Sequence, residues 1–166
     1  VDRSARRAAT LLCGTAGAVY LLDRVSKIWA ERVLVDGPIQ LIPGILTLRY
    51  TSNSGGAFSL GTSAPWFFAA AAGAVSVYIL TSAFRRRSGM QAIALGLVLG
   101  GALGNLTDRF VRGPGVTGQV VDFIDLQIWP VFNVADAAVV VGAILLGWSI
   151  FRESSGAPGG EAPDDR

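Results

Sequence analysis

The sequence predicts an all-α polytopic membrane protein, with four transmembrane helices and a small extracytoplasmic β-sheet. Three observations predict it. Apolar residues make up 51% of the 166-residue chain and charged residues only 16%, against about 25% charged in ordinary soluble domains. Four stretches approach the roughly 20 mostly apolar residues that span a bilayer. Arginines gather in alternate connections, as they do when one side of a membrane retains positive charge.

The first helix is expected over about 9–30. Arg3, Arg6 and Arg7 precede it, as they would a cleavable leader, but the apolar run continues past Cys13 and Leu12 is not the small residue that processing before a cysteine needs. The stretch is therefore read as a retained helix, with Cys13 a small packing residue. Asp23 and Lys27 fall in its outer part, four residues apart and on one face. The connection 31–63 holds two short strands: Ile39-Gln40-Leu41-Ile42-Pro43 and Ile45-Leu46-Thr47-Leu48-Arg49-Tyr50 flank a Pro-Gly turn, and Leu46, Leu48 and Tyr50 alternate with Thr47 and Arg49. They predict a small sheet on the outer membrane surface. Asn53-Ser54-Gly55-Gly56-Ala57-Phe58 reads as a turn, either a plain loop or a glycine turn presenting Asn53 to a peptide backbone.

The second and third helices are expected over about 64–84 and 90–110. Gly96, Gly100 and Gly104 recur every fourth residue on the third, with Gly101 beside them, the spacing that lets membrane helices approach closely. Asn105, Asp108 and Arg109 close its outer end. A short outer link, 111–130, carries Asp122 and Asp125 to the fourth helix, expected over about 131–151, where Asn133 and Asp136 lie near the start. Residues 1–153 read as one membrane domain. The Gly-, Pro- and Asp-rich residues 154–166 read as a disordered cytoplasmic tail.

Arg3, Arg6, Arg7, Arg85, Arg86, Arg87 and Arg152 stand on one side of this topology, and Arg32, Arg49 and Arg112 on the other. Seven against three places both termini in the cytoplasm. The small net charge of +2 gives no support to nucleic-acid binding. The chain has no His and one Cys, which excludes a Ser-His-Asp triad, His-ligated metal and an internal disulfide.

Every carboxylate at membrane depth falls near the outer interface. A carboxylate there is costly and marks function by default. Each has a plainer reading: Asp23 with Lys27 as a neutralising pair, Asp108 with Arg109 as a headgroup cluster, Asp125 as a solvated loop residue, Asn133 as a helix cap. Asp136 is the hardest to read so, because apolar residues flank it on both sides. Two carboxylates that meet can share a proton, which is the chemistry of aspartic proteolysis. A small proton-coupled transporter subunit or a structural membrane subunit would also carry intramembrane acids.

Five segments in order resemble the lipoprotein signal peptidases of bacteria, also called signal peptidase II. They are Asp23-Arg24-Val25-Ser26-Lys27, Asn53-Ser54-Gly55-Gly56-Ala57-Phe58-Ser59, the run Gly100 to Arg109, Val120-Val121-Asp122-Phe123-Ile124-Asp125, and Phe132-Asn133-Val134-Ala135-Asp136. The resemblance implies an aspartic endopeptidase that cuts diacylglyceryl-modified prolipoproteins before the lipidated cysteine. It implies Asp122 and Asp136 as the catalytic pair. It implies Asp23, Lys27, Asn53, Gly56, Asn105, Asp108, Arg109 and Asn133 as substrate-binding or supporting residues. It also implies no metal or other cofactor, and a monomer in the bacterial cell membrane working on substrate and lipid near the outer leaflet. The glycine turn departs mildly from the family's common Asn-Thr-Gly-Ala-Ala-Phe, and the fourteen residues from Asp122 to Asp136 make a short link.

Overall fold

The computed structural model describes residues 2–53 and 65–155. Its elements run α1 (Arg3–Val33), β1 (Ile39–Ile42), β2 (Leu46–Asn53), α2 (Pro65–Thr81), α3 (Gly89–Val111), β3 (Val120–Asp125) and α4 (Val134–Ser155). α1 starts earlier than its apolar run, because Asp2 caps it by accepting the Ser4 N–H at 3.0 Å. α3 opens with a capping box between Ser88 and Gln91. α1, α3 and α4 are long and apolar enough to cross a membrane, whereas α2 is a shorter apolar helix of 17 residues. α4 begins at Val134 instead of 131, because Phe132 pairs with Ile124 beside the sheet. It runs on to Ser155, past the start of the segment read as tail.

α3 is the central helix, and its glycines are the reason. A Cβ on Gly96 would lie 2.7 Å from the Leu12 carbonyl oxygen, and one on Gly100 2.6 Å from that of Ala16, both on α1. A Cβ on Gly101 would lie 2.4 Å from the Ala135 carbonyl oxygen on α4. Backbones this close leave no room for a side chain, which is the small-residue packing the four-residue spacing predicts. Leu12, Ile79, Leu95 and Leu99 fill the core between α1, α2 and α3. Outward-facing Val77, Tyr78, Ile144 and Trp148 are exposed, as suits surfaces that face lipid.

The sheet corrects the sequence reading. It has three strands, not two, in the antiparallel order β1-β2-β3. The third comes from the outer link, so the sheet is not confined to 31–63. Thr51 pairs with Asp122 and Asn53 with Val120, which seats the link against the end of β2. Gly44, at φ +72, makes the turn between β1 and β2. Ala30 of α1 and Leu34, which caps the end of that helix, pack under Val121 and Phe123, with Leu48 alongside. That small core fixes the sheet on the ends of the helices.

Candidate active site

Asp122 and Asp136 come together where β3, α3 and α4 meet. Both are held by asparagine. Asp122 Oδ1 accepts from Asn133 Nδ2 at 2.7 Å, and its Oδ2 from Asn53 Nδ2 at 3.0 Å. Asp136 Oδ1 accepts from Asn105 Nδ2 at 2.8 Å, and its Oδ2 from the Asn133 backbone N–H at 3.3 Å. Asn133 Oδ1 in turn accepts the Asp136 N–H at 2.9 Å. Asn133 and Asp136 thus form a reciprocal cap on α4, as Asn at this position predicts, and the amide left over reaches Asp122. One asparagine therefore joins the two acids.

Asp122 is only 2% exposed. Burial raises its pKa from 3.8 to about 6, with the charge of Asp136 adding to the rise and the amides of Asn53 and Asn133 and the charge of Lys27 opposing it. A carboxyl poised there can take or give a proton near neutral pH.

Behind the acids lies a buried ion network. Lys27 Nζ is 2.9 Å from Asp23 Oδ2 and 2.9 Å from Asp108 Oδ2, and donates to Asn105 Oδ1 at 2.9 Å. Lys27, Asp23 and Asp108 side chains are all fully buried. Asp108 also pairs with Arg24 and Arg112, and Arg112 with Glu31. The predicted Asp23–Lys27 pair therefore exists, as part of a larger cluster. Asp108 and Arg109 do not form the headgroup cluster that their adjacency suggested. Successive helical residues point about 100° apart, so Asp108 turns toward α1 and β3 while Arg109 lines the cavity and donates to the Gly118 carbonyl.

A cavity of about 760 Å³ opens in front of the acids. Its polar end holds Asp122, Asp136, Asn53, Asn105 and Arg109. Phe68, Ala72 and Val75 of α2, Val98 and Ala102 of α3, and Val139 and Val140 of α4 make its apolar walls. Such a space suits a ligand with a polar reacting group and an apolar tail. Among the described residues, no group of three or more Cys, Asp or Glu is placed to hold a metal ion.

Of the residues singled out from sequence, Asn53, Asn105, Arg109, Asp122 and Asp136 line the cavity, and Lys27, Asp23, Asp108 and Asn133 stand behind it. Gly56 lies outside the described residues. Asp125 is corrected from a solvated residue to a buried one. It pairs with Arg49 at 2.6 Å and accepts the Gln127 N–H at 2.9 Å. Arg24 and Glu31 escaped notice because their partners come from distant parts of the chain, whereas Arg112 stands four residues from Asp108, a spacing that points to it.

Known proteins resemble this chain in sequence and in fold. The family described as Signal peptidase (SPase) II matches residues 15–152. A lipoprotein signal peptidase of Rhodococcus jostii is 48% identical over 82% of this chain and 70% of its own length. One of Mycobacterium avium is 46% identical over 87% and 80%. A solved bacterial membrane enzyme, determined at 2.3 Å by the in meso method, superposes with TM-score 0.76 over 89% of this chain and 92% of its own, at 28% identity. The chain belongs to the signal peptidase II family, and is a peptidase of the aspartic type.

Proposed function

We propose that this protein removes signal peptides from diacylglyceryl-modified prolipoproteins, cutting before the lipidated cysteine, with Asp122 and Asp136 as the catalytic pair. The observation that carries the assignment of these two is their common partner: Asn133 bonds both acids at the polar end of an apolar-walled cavity. The relatives' names supply the substrate class.

In this reading the pair holds one proton, because two close carboxylates do not both ionise cheaply. The ionised member takes a proton from water as the water oxygen attacks the scissile carbonyl carbon. The neutral member gives its proton to the carbonyl oxygen. The resulting gem-diol then collapses: one of its hydroxyls returns a proton to the carboxylate that had protonated the carbonyl oxygen, the C–N bond breaks, and the proton taken from water passes to the leaving amine. The two protonation steps belong to the pair and not to either Asp alone. Arg109 and Asn53 border the same space and hold the substrate backbone.

α2 completes a set of four spans in this reading, and the four helices and sheet make one membrane domain that works as a monomer. The arginine asymmetry supports cytoplasmic termini and an active site near the outer leaflet. A lipidated substrate then enters from the bilayer, where each buried CH₂ contributes about 0.8 kcal/mol to holding it. Cleavage of a diacylglyceryl-modified prolipoprotein by the purified protein, beside Asp122→Asn and Asp136→Asn, tests this. Both variants should fold and fail to cut. Near-full activity in either would remove that residue from the pair, and a wild type that cuts nothing in a competent membrane mimic would sink the assignment.

A further inference from the structure

Each acid of the pair follows directly on a residue whose backbone is tied to another element. The Val121 N–H donates to Asp108 Oδ2 at 3.2 Å, which pins β3 to α3 one residue before Asp122. The Ala135 N–H donates to Asp23 Oδ1 at 3.0 Å, which pins α4 to α1 one residue before Asp136. Asp108 and Asp23 do not line the cavity. Both instead meet Lys27 Nζ, each at 2.9 Å. The ammonium's remaining link goes to Asn105 Oδ1, and Asn105 donates from its other end to Asp136. An ammonium has three donors and no acceptor. Because Lys27 can only donate, the Asn105 oxygen must face it and the Asn105 NH₂ must face Asp136.

Neutralising charge accounts for the contact with Asp23 but not for the whole geometry. Asp108 already has Arg24 and Arg112 beside it. What Lys27 adds is a single rigid point to which the supports of both acids are fastened. We propose that Lys27 is the positioning residue of the pair, setting the spacing of Asp122 and Asp136 by clamping the two carboxylates that hold their chain neighbours. This rests on the reading of Asp122 and Asp136 as catalytic.

Spacing has a signature of its own. Two carboxylates in contact titrate in two separated steps, and the separation grows as they approach. The gap between the limbs of the kcat–pH profile therefore reports it. The other charged groups around the pair are Arg109 of α3 and Arg49 of β2, the latter paired with Asp125. Those around Lys27 are Asp23 of its own helix and Asp108 of α3, with Arg24, Glu31 and Arg112 at the perimeter.

The test compares Lys27→Met with the charge-balanced variant Asp23→Asn/Lys27→Met, which keeps a carbonyl acceptor for the Ala135 N–H and leaves Asp108 to accept from Val121 and pair with Arg24 and Arg112. Each is assayed in detergent for thermal unfolding and for kcat, KM and the pH profile on lipidated substrate. The expected result is a folded protein in at least the balanced variant, with kcat down roughly 100-fold, KM changed little, and the limbs of the profile drawn together. Wild-type kcat in either folded variant overturns the proposal. So does a loss of kcat with the limbs as far apart as in wild type. Failure of both variants to fold makes Lys27 a stability residue only and overturns it too. Asp122→Asn and Asp136→Asn, run alongside, separate the two readings: if they stay active the catalytic pair is wrong, and if they are dead while the Lys27 variants work only the clamp is wrong.

Discussion

Asn133 donates from its amide to Asp122 across 2.7 Å and to Asn105 across 3.2 Å, while its amide oxygen caps the first turn of α4. The cap of a helix and the ligand of a site acid are the same side chain. The start of α4 is therefore coupled to the tip of β3, and anything that frays the helix leaves Asp122 with Asn53 alone of the two amides.

Asn133→Ala should accordingly fail in two ways at once. Loss of an Asn cap costs about 1 kcal/mol, and a carboxylate left short of a buried partner adds about 1–3 kcal/mol. Misplacement of Asp122 should lower kcat by roughly 100-fold. Thermal unfolding and turnover of the purified variant check both. Asn133→Asp would keep a cap but place a third acid between the two. A variant of either kind with wild-type turnover would show that Asn133 does not hold the pair.

The buried Asp122 makes a specific demand on pH. Its carboxyl titrates near 3.8 in the unfolded chain and about 6 in the fold. Between those values the native state binds the extra proton, so stability falls as pH rises from about 4 to about 6 and levels above that. The loss is on the order of 2–3 kcal/mol. Other acids titrate in the same range, so the quantity to measure is the difference in Tm between wild type and Asp122→Asn. Wild type should lose ground to the variant across that interval and hold a constant offset above it. A difference that does not vary with pH would mean that Asp122 is not raised.

Glycines divide by what a methyl group would meet. Gly101→Ala places a Cβ 2.4 Å from the Ala135 carbonyl oxygen, and Gly104→Ala places one 2.4 Å from Asp23 Oδ2. Backbone cannot yield cheaply, and Asp23 is held by both Lys27 and Ala135. Both variants should be destabilised by about 1–3 kcal/mol. Gly104→Ala should also impair turnover, because it disturbs the support of Asp136. Gly14 and Gly17 on α1 have open space around the added atom. Gly→Ala there should be neutral or stabilise by about 0.5–1 kcal/mol. Thermal melts of the four single variants would rank them, and equal effects would refute the packing account.

Much of this was legible because membrane helices announce themselves by length and apolarity, and because Asp23 and Lys27, or Asn133 and Asp136, share a helical face by spacing alone. β3 was not legible. Val120-Val121-Asp122-Phe123-Ile124-Asp125 is buried on both faces except for a partly buried Ile124, so it lacks the alternation that betrays a half-exposed strand. The distant members of the Asp108 cluster were hidden for a different reason. Arg24 lies 84 residues from Asp108, and Glu31 lies 81 from Arg112, and no local pattern reports contacts at that range; Arg112 itself, four residues from Asp108, is within reach of helical spacing. Adjacency in sequence misled as well, since it joined Asp108 to Arg109 when the helix turns them apart.

The apolar walls of the cavity offer a last handle on what enters it. Ala72 of α2 stands among the lining residues, with Phe68 and Val75 on the same helix and Val139 and Val140 on α4. Under the proposed function, the small side chain of Ala72 leaves room there for the acyl chains of a lipidated substrate. Ala72→Phe would occupy that room without touching either acid. If it displaces about two methylenes of substrate at about 0.8 kcal/mol each, KM should rise roughly tenfold, while kcat changes little because the chemistry lies at the other end. The dependence on chain length is the sharper measurement. A substrate with short acyl chains has fewer methylenes to lose, so the penalty should shrink as the chains are shortened. A KM that rises equally for long and short chains would mean that Ala72→Phe disturbs the fold or the peptide path, and that the acyl groups lie elsewhere.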